Sequence, residues 1–200
     1  MLVALGAIAS EQAYLTRATM KKVYQFLDYV ASQEQSVLTY EASDMVLAVH
    51  SDALYLSESK ARSRAGGNFF MSKDVSFPPN NGVVLNMAQI MKTIMSLAVE
   101  EDIGAMYVNA REAVPDRQNL NGMGHRQPRT PMQTDNTAAH FVVTNNVQPK
   151  RTKAMYMRFH WLRCHDEQEQ FRYYWRQGSQ NWADYWTKHF LAFHHINMRP

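Results

Sequence analysis

The residues of this chain best suited to chemistry are four aspartates, Asp52, Asp102, Asp135 and Asp184. Asp52 follows the apolar run Met45-Val46-Leu47-Ala48-Val49 and then His50-Ser51. Such a run reads as a strand buried on both faces, and Asp52 stands where that strand would leave its sheet. A carboxylate there needs a partner, and a metal is one candidate. Asp135 ends the short strand expected from Met132 to Asn136, and Asp184 lies in the first turn of a helix expected to open at Asn181. At about 100° per residue, Asp102 sits on the inward flank of its helix, about 60° from Val99 and 40° from Met106, whereas Glu101 points away to solvent. Gathered together, the four acids would form an oxygen-rich site for Mg²⁺, or alternatively Mn²⁺. Two such ions, about 3.5 to 4 Å apart, can hold the attacking water and the leaving oxygen of an in-line phosphodiester cleavage.

Each acid also has an ordinary reading. A helix dipole alone favours Asp184, Asp135 or Asn136 can cap the next helix, and Asp52 and Asp102 suit a turn and a helix surface. Other chemistries have weaker support. His189, His194 and His195 have no cysteine partners or zinc spacing. Cys164, near His160 and His165, reads as a packing residue. Trp175, Trp182, Tyr185 and Trp186 can stack on bases or fill a core. The glycine-rich phosphate loops of the Walker and Rossmann patterns are absent from the sequence.

The elements that must position the acids follow from periodicity. Residues 1 to 32 read as helical, with Met20, Val23, Phe26, Leu27 and Val30 on one side, and residues 33 to 44 as a polar connector. A charged loop through Lys60, Arg62 and Arg64 then leads past Gly66-Gly67 to a strand from Phe69 to Ser72. Pro78 to Gly82 is a turn, and Val83 to Ile90 a third strand. A helix from Ala98 to Val114 should stop at Pro115. Beyond the strand at Asp135, Thr137 to Thr144 is a short helix, Lys150-Arg151-Thr152-Lys153 opens a longer one through Arg163, and Phe171 to Arg176 is a strand. The order, three strands joined by hairpins and then helix, strand, helix, helix, strand, helix, predicts an α/β fold.

At 200 residues the chain is long enough for one good-sized domain with a real core. A single cysteine excludes an internal disulfide, and no apolar run approaches the roughly 18 residues of a membrane span. The formal charge is +3, but residues 150–200 carry nine Lys/Arg against four Asp/Glu, a local +5 against −2 elsewhere. That asymmetry suits a polyanionic partner.

Several motifs, in order, resemble the ribonuclease H domain of copia-type retrotransposon polyproteins. They are Ser51-Asp52-Ala53, Arg62-Ser63-Arg64-Ala65-Gly66-Gly67-Asn68-Phe69-Phe70, Thr134-Asp135-Asn136, Lys150-Arg151-Thr152-Lys153-Ala154-Met155 with Arg158 to Arg163, and Ala183-Asp184-Tyr185-Trp186-Thr187-Lys188. The resemblance implies a ribonuclease H-like fold over residues 45–200, a five-stranded mixed sheet flanked by helices. Residues 1–44 would be a helical connection from the reverse transcriptase side. It also implies hydrolysis of the RNA strand of RNA–DNA hybrids with two Mg²⁺ ions, Asp52 bridging both while Asp135 and Asp184 each hold one. The family's remaining acid is a glutamate, and Asp102 stands at its position. Arg62, Arg64, Asn136, Lys150, Arg151 and Lys153 would contact the substrate. The implied setting is intracellular, in cytoplasm or a virus-like particle, beside a reverse transcriptase domain of the same polyprotein and not at a membrane. The alternative is a catalytically inactive copy, its fold kept, that binds nucleic acid or supports an adjoining polymerase domain.

Overall fold

The structure, a computed structural model, describes all residues except 59–60, 96, 146–152, 191 and 198–200. Its centre is a five-stranded sheet in the order β3-β2-β1-β4-β5. These are β1 (Val46–Glu58), β2 (Arg62–Ser72), β3 (Val83–Ile90), β4 (Thr130–Thr134) and β5 (Phe171–Trp175). β1, β2 and β3 pair antiparallel, while β1–β4 and β4–β5 pair parallel. The apolar run read from the sequence is thus the middle strand, and Val46 to Val49 are buried. A central strand needs two covered faces, which explains why its apolar residues do not alternate with polar ones.

Around the sheet lie α1 (Leu2–Ser10), α2 (Arg17–Ala31), α3 (Ala98–Gly122), α4 (Thr137–Thr144), α5 (Lys153–Glu167), α6 (Asp184–Thr187) and α7 (Ala192–Asn197). One face of the sheet packs on α3 and α5 through Leu47, Val49, Phe69, Ile103, Met106, Met132, Leu162 and Phe171. Thr187 of α6 reaches Asp52, and His50, two residues earlier on the same face of β1, accepts from the Trp182 backbone. α6 and its approach therefore cover the other face. Among the described residues no helix is long and apolar enough to cross a membrane.

Several sequence expectations are corrected. β1 and β2 run well past the apolar stretches, so Asp52 lies within β1 and not where the strand leaves its sheet, because the antiparallel ladder continues to a Glu58–Arg64 ion pair that satisfies its polar end. α3 does not stop at Pro115 but continues to Gly122. Pro115 and Arg111, whose carbonyl the proline leaves without a helical donor, are both exposed, so water can serve that carbonyl. Leu120 and Arg117 are buried further on, Arg117 donating to the Pro128 carbonyl, and this packing carries the helix through. The front segment is two helices separated by a 3₁₀ turn, Gln12–Tyr14. The second begins with a reciprocal pair of bonds between Thr16 and Thr19. The last helix is divided into α6 and α7, and Asn181 lies before α6 without being its N-cap.

Candidate metal centre

Asp52 lies in β1 beside Gly66 of β2, with which it is in register. Asp135 is the first residue beyond β4, and Asp184 is the first residue of α6. Each of these three carboxylates offers an oxygen, and those oxygens lie within 4.8 Å of one another. Three of the four acids picked out by the sequence therefore converge. Oxygen donors of this hardness at this spacing fit Mg²⁺ or Mn²⁺ and suit no softer metal better.

The fourth acid, Asp102, is not one of the three, although its charge and that of Asp135 act on each other. Asn136 Nδ2 donates to Asp102 Oδ2 at 2.7 Å, and the Ala53 backbone amide also donates to Asp102. Asn136 is committed on its other side too, since its Oδ1 accepts from the amides of Ala138 and Ala139 and caps α4. It is thus a residue that orients Asp102 rather than a free contact for substrate. Glu101, expected in solvent, is buried at 1% exposure. The helix has a second buried side, where Ala105, one turn on from Glu101, packs with Ala65, Met91 and Met95. A reading built on one apolar stripe has no place for that side. Burial raises the Glu101 pKa, against the nearby Ser63 hydroxyl, which makes no hydrogen bond of good geometry with it.

A four-residue helix cannot hold Asp184 in place on its own. Bonds to the sheet do so instead. Gln133 Nε2 donates to the Gln180 carbonyl at 2.9 Å, Asn181 Nδ2 to the Ser51 carbonyl at 2.9 Å, the Trp182 amide to His50 Nδ1 at 3.1 Å, and Trp186 Nε1 to Asn68 Oδ1 at 3.1 Å. Burial, with Arg176 adding to it, lowers the His50 pKa to about 3, so the ring stays neutral and can accept the Trp182 amide. Gly66 permits the approach: a Cβ there would lie 2.5 Å from Thr187 Cγ2 and 2.8 Å from the Ala183 carbonyl. On the opposite face Asn109 Nδ2 donates to Ser51 Oγ at 2.9 Å and to the Gly66 carbonyl at 2.8 Å, tying α3 to β1 and β2 beside Asp52. Sequence reasoning missed Asn109, His50 and Gln133 as positioning residues. The sequence marks the Asn109 contact only by the glycine at 67, where a side chain would strike Asn109 Oδ1.

The electrostatics are those of like charges withdrawn from water. Asp52 is 3% exposed, and burial followed by the charge of Asp184 raises its pKa to about 8, against Lys188 and a hydrogen bond from the Thr187 hydroxyl. Burial and then Asp184 also raise Asp135. Asp102 is raised to about 7, chiefly by burial. Burial pulls the Lys188 ammonium down, but Asp52, Asp184 and Asp135 outweigh it and hold it up. Its Nζ lies 2.6 Å from Asp184 Oδ1 and 3.9 Å from Asp52 Oδ2. Carboxylates raised in this way favour a cation among them.

The basic residues divide. Arg64 is 1% exposed and donates to Glu58 and to the Ala88 carbonyl, so the expectation that it contacts substrate is withdrawn. Arg62 is half-buried at the start of β2. Lys153 is the first residue of α5, while Lys60, Lys150 and Arg151 lie outside the described residues.

No family model matches the chain, and no curated protein matches it. Solved structures do. The ribonuclease H1 LC11, isolated from compost by a metagenomic approach, superposes with a TM-score of 0.53 at 7% identity, covering 72% of this chain and 93% of its own. The fold is that of ribonuclease H. The N-terminal ribonuclease H domain of rv2228c from Mycobacterium tuberculosis is also similar, with a TM-score of 0.46 at 13% identity, covering 72% of this chain and 91% of that one. The fold assignment rests on the first comparison and on the sheet order. At 7% identity the ribonuclease H architecture is reproduced by a nearly independent set of residues.

Proposed function

We propose that this chain is a divalent-metal-dependent nuclease that hydrolyses the RNA strand of RNA–DNA hybrids during reverse transcription of a copia-type retrotransposon. The observation that carries the reading is the convergence of Asp52, Asp135 and Asp184 beside the middle of the central strand of a ribonuclease H fold. The retrotransposon setting, the reverse transcriptase as neighbour and the role of residues 1–44 as the connection to it rest on the sequence motifs. The cytoplasm or a virus-like particle is the matching compartment.

Asp52, Asp135 and Asp184 would hold Mg²⁺, with Mn²⁺ as a substitute, and Asp102 would serve as the fourth acid of the set. When bound, the metal supplies a Lewis acid that lowers the pKa of a water and neutralises charge developing on the phosphate. The chain's own residues do the rest. Asp52 is fixed by Thr187, Asp102 is aimed by Asn136, and Lys188 offsets part of the negative charge that would repel a phosphodiester. Arg62, Lys150, Arg151 and Lys153 would contact the backbone of a hybrid, as the sequence motifs imply.

One observation favours the second reading, a copy that binds but does not cut. Asp102 is one methylene shorter than glutamate, and its carboxylate is engaged by Asn136 and Ala53. A 5′-labelled RNA annealed to DNA, incubated with the protein and Mg²⁺ or Mn²⁺, separates the two. The active reading expects cleavage of the RNA strand in the hybrid and none in single-stranded or duplex RNA. Absence of cleavage by the wild type, with cleavage by Asp102→Glu, assigns the chain to the second.

A further inference from the structure

The surroundings of Asp52 bear on how many ions the centre takes. Its Oδ2 accepts the Thr187 hydroxyl, and the Lys188 ammonium stands 3.9 Å from that same oxygen. Lys188 is the residue that ends α6. Its backbone amide donates to the Asp184 carbonyl while its Nζ donates to Asp184 Oδ1 at 2.6 Å, so one turn of chain closes on both ends of Asp184. The side chain is 35% exposed, and three carboxylates face its charge. A carboxylate that bridges two dications must turn one oxygen toward each. Here one oxygen of Asp52 is taken by a hydroxyl and screened by an ammonium. The acid that would complete a two-ion set, Asp102, is not among the three whose oxygens converge.

The Lys188 ammonium also supplies these carboxylates with positive charge that a second ion would otherwise bring.

We infer that Lys188 stands in place of a second metal ion, so that this centre binds one divalent cation, with the ammonium as its fixed companion charge. The inference rests on the metal-centre reading above and concerns only the occupancy of that site. Lys188 is then a positioning residue: it sets the number of ions and holds Asp184 toward the one that binds.

The test is a count of Mn²⁺ bound per chain, read from the loss of the free-ion electron paramagnetic resonance signal, on the full chain without nucleic acid. The wild type should bind one ion, as should Lys188→Arg. Lys188→Met should bind two, with Lys188→Gln as a second neutral variant in case the first is poorly folded by circular dichroism. Two ions on the wild type overturn the role of Lys188 and leave the metal centre standing. One ion on the wild type and one on a folded neutral variant also overturn it. No ion on the wild type overturns the metal centre itself, and the inference with it.

Discussion

At the scale of single residues, the acids differ in how burial acts on them, and pH should expose the difference. Asp52 and Asp102 have their pKa values raised in the fold to about 8 and about 7 from 3.8. The folded chain therefore binds protons that the unfolded chain has released, and stability from these groups is complete below 3.8 and lost as pH rises through 7 and 8. His50 acts in the opposite sense. Its pKa falls from 6.5 to about 3, so its contribution is lost as pH drops below 6.5. Above 6.5 the histidine is neutral in both states, which leaves a window for the acids. In the absence of divalent ions the melting temperature should fall from pH 6.5 to about 8.5. Asp52→Asn should flatten that fall, and a wild-type curve that rises over the window would contradict the description of the site. Arg64 offers a second check. Arg64→Met should cost about 3 kcal/mol in urea unfolding, because it leaves Glu58 partly buried without its partner. The salt dependence of hybrid binding should not change, whereas a slope lower by about 0.9 would make Arg64 a phosphate contact after all. Asp52 was legible because it follows an apolar run, Asp135 because it closes a short strand, and Asp184 because it falls in the first turn of a helix. Glu101 and Asn109 were not, since their burial depends on neighbours supplied by β2 and by a second buried side of α3.

At the scale of elements, a helix of four residues is held on a sheet by polar side chains that a strand pattern would class as misplaced. His50, Asn68 and Gln133 lie in register across three adjacent strands, and each receives or supplies a bond to the segment from Gln180 to Trp186. The sequence shows apolar runs and two glycines but cannot show that the polar residues among them face a helix. Gly66 is the element's clearance. Gly66→Ala should destabilise the chain by about 1–3 kcal/mol through overpacking. It should weaken Mn²⁺ binding more than this loss of stability accounts for, because the added methyl pushes on the Ala183 carbonyl just before Asp184. Gly122→Ala, whose added Cβ would meet nothing within 4 Å, is the control and should be neutral in both measurements. Equal metal affinity in the two variants would show that α6 is not held by this contact. The break between α6 and α7 and the continuation of α3 past Pro115 have the same origin, in packing that outweighs local propensity.

At the scale of the whole molecule, the mixed five-stranded sheet followed from the family resemblance, while the succession of strands and helices was legible from apolar runs, turns and one long helix. The way the front segment lies on the rest was not. α1 packs against β3 and α6, Gly6 approaches the Arg64 guanidinium, and Tyr40 donates to the Val83 carbonyl. These contacts involve residues whose local pattern gives no sign of a distant partner. The molecule thus places three carboxylates and a lysine beside the middle of its central strand, with basic residues toward the C-terminal part of the sequence. The proposed cleavage of the RNA strand of a hybrid by way of a bound divalent ion can be measured over a Mg²⁺ titration, with wild type and Asp52→Asn compared at matched folding. The expected result is metal-dependent cleavage by the wild type, reduced at least about a hundredfold by the substitution. Cleavage that persists in Asp52→Asn, or that needs no divalent ion, would contradict it.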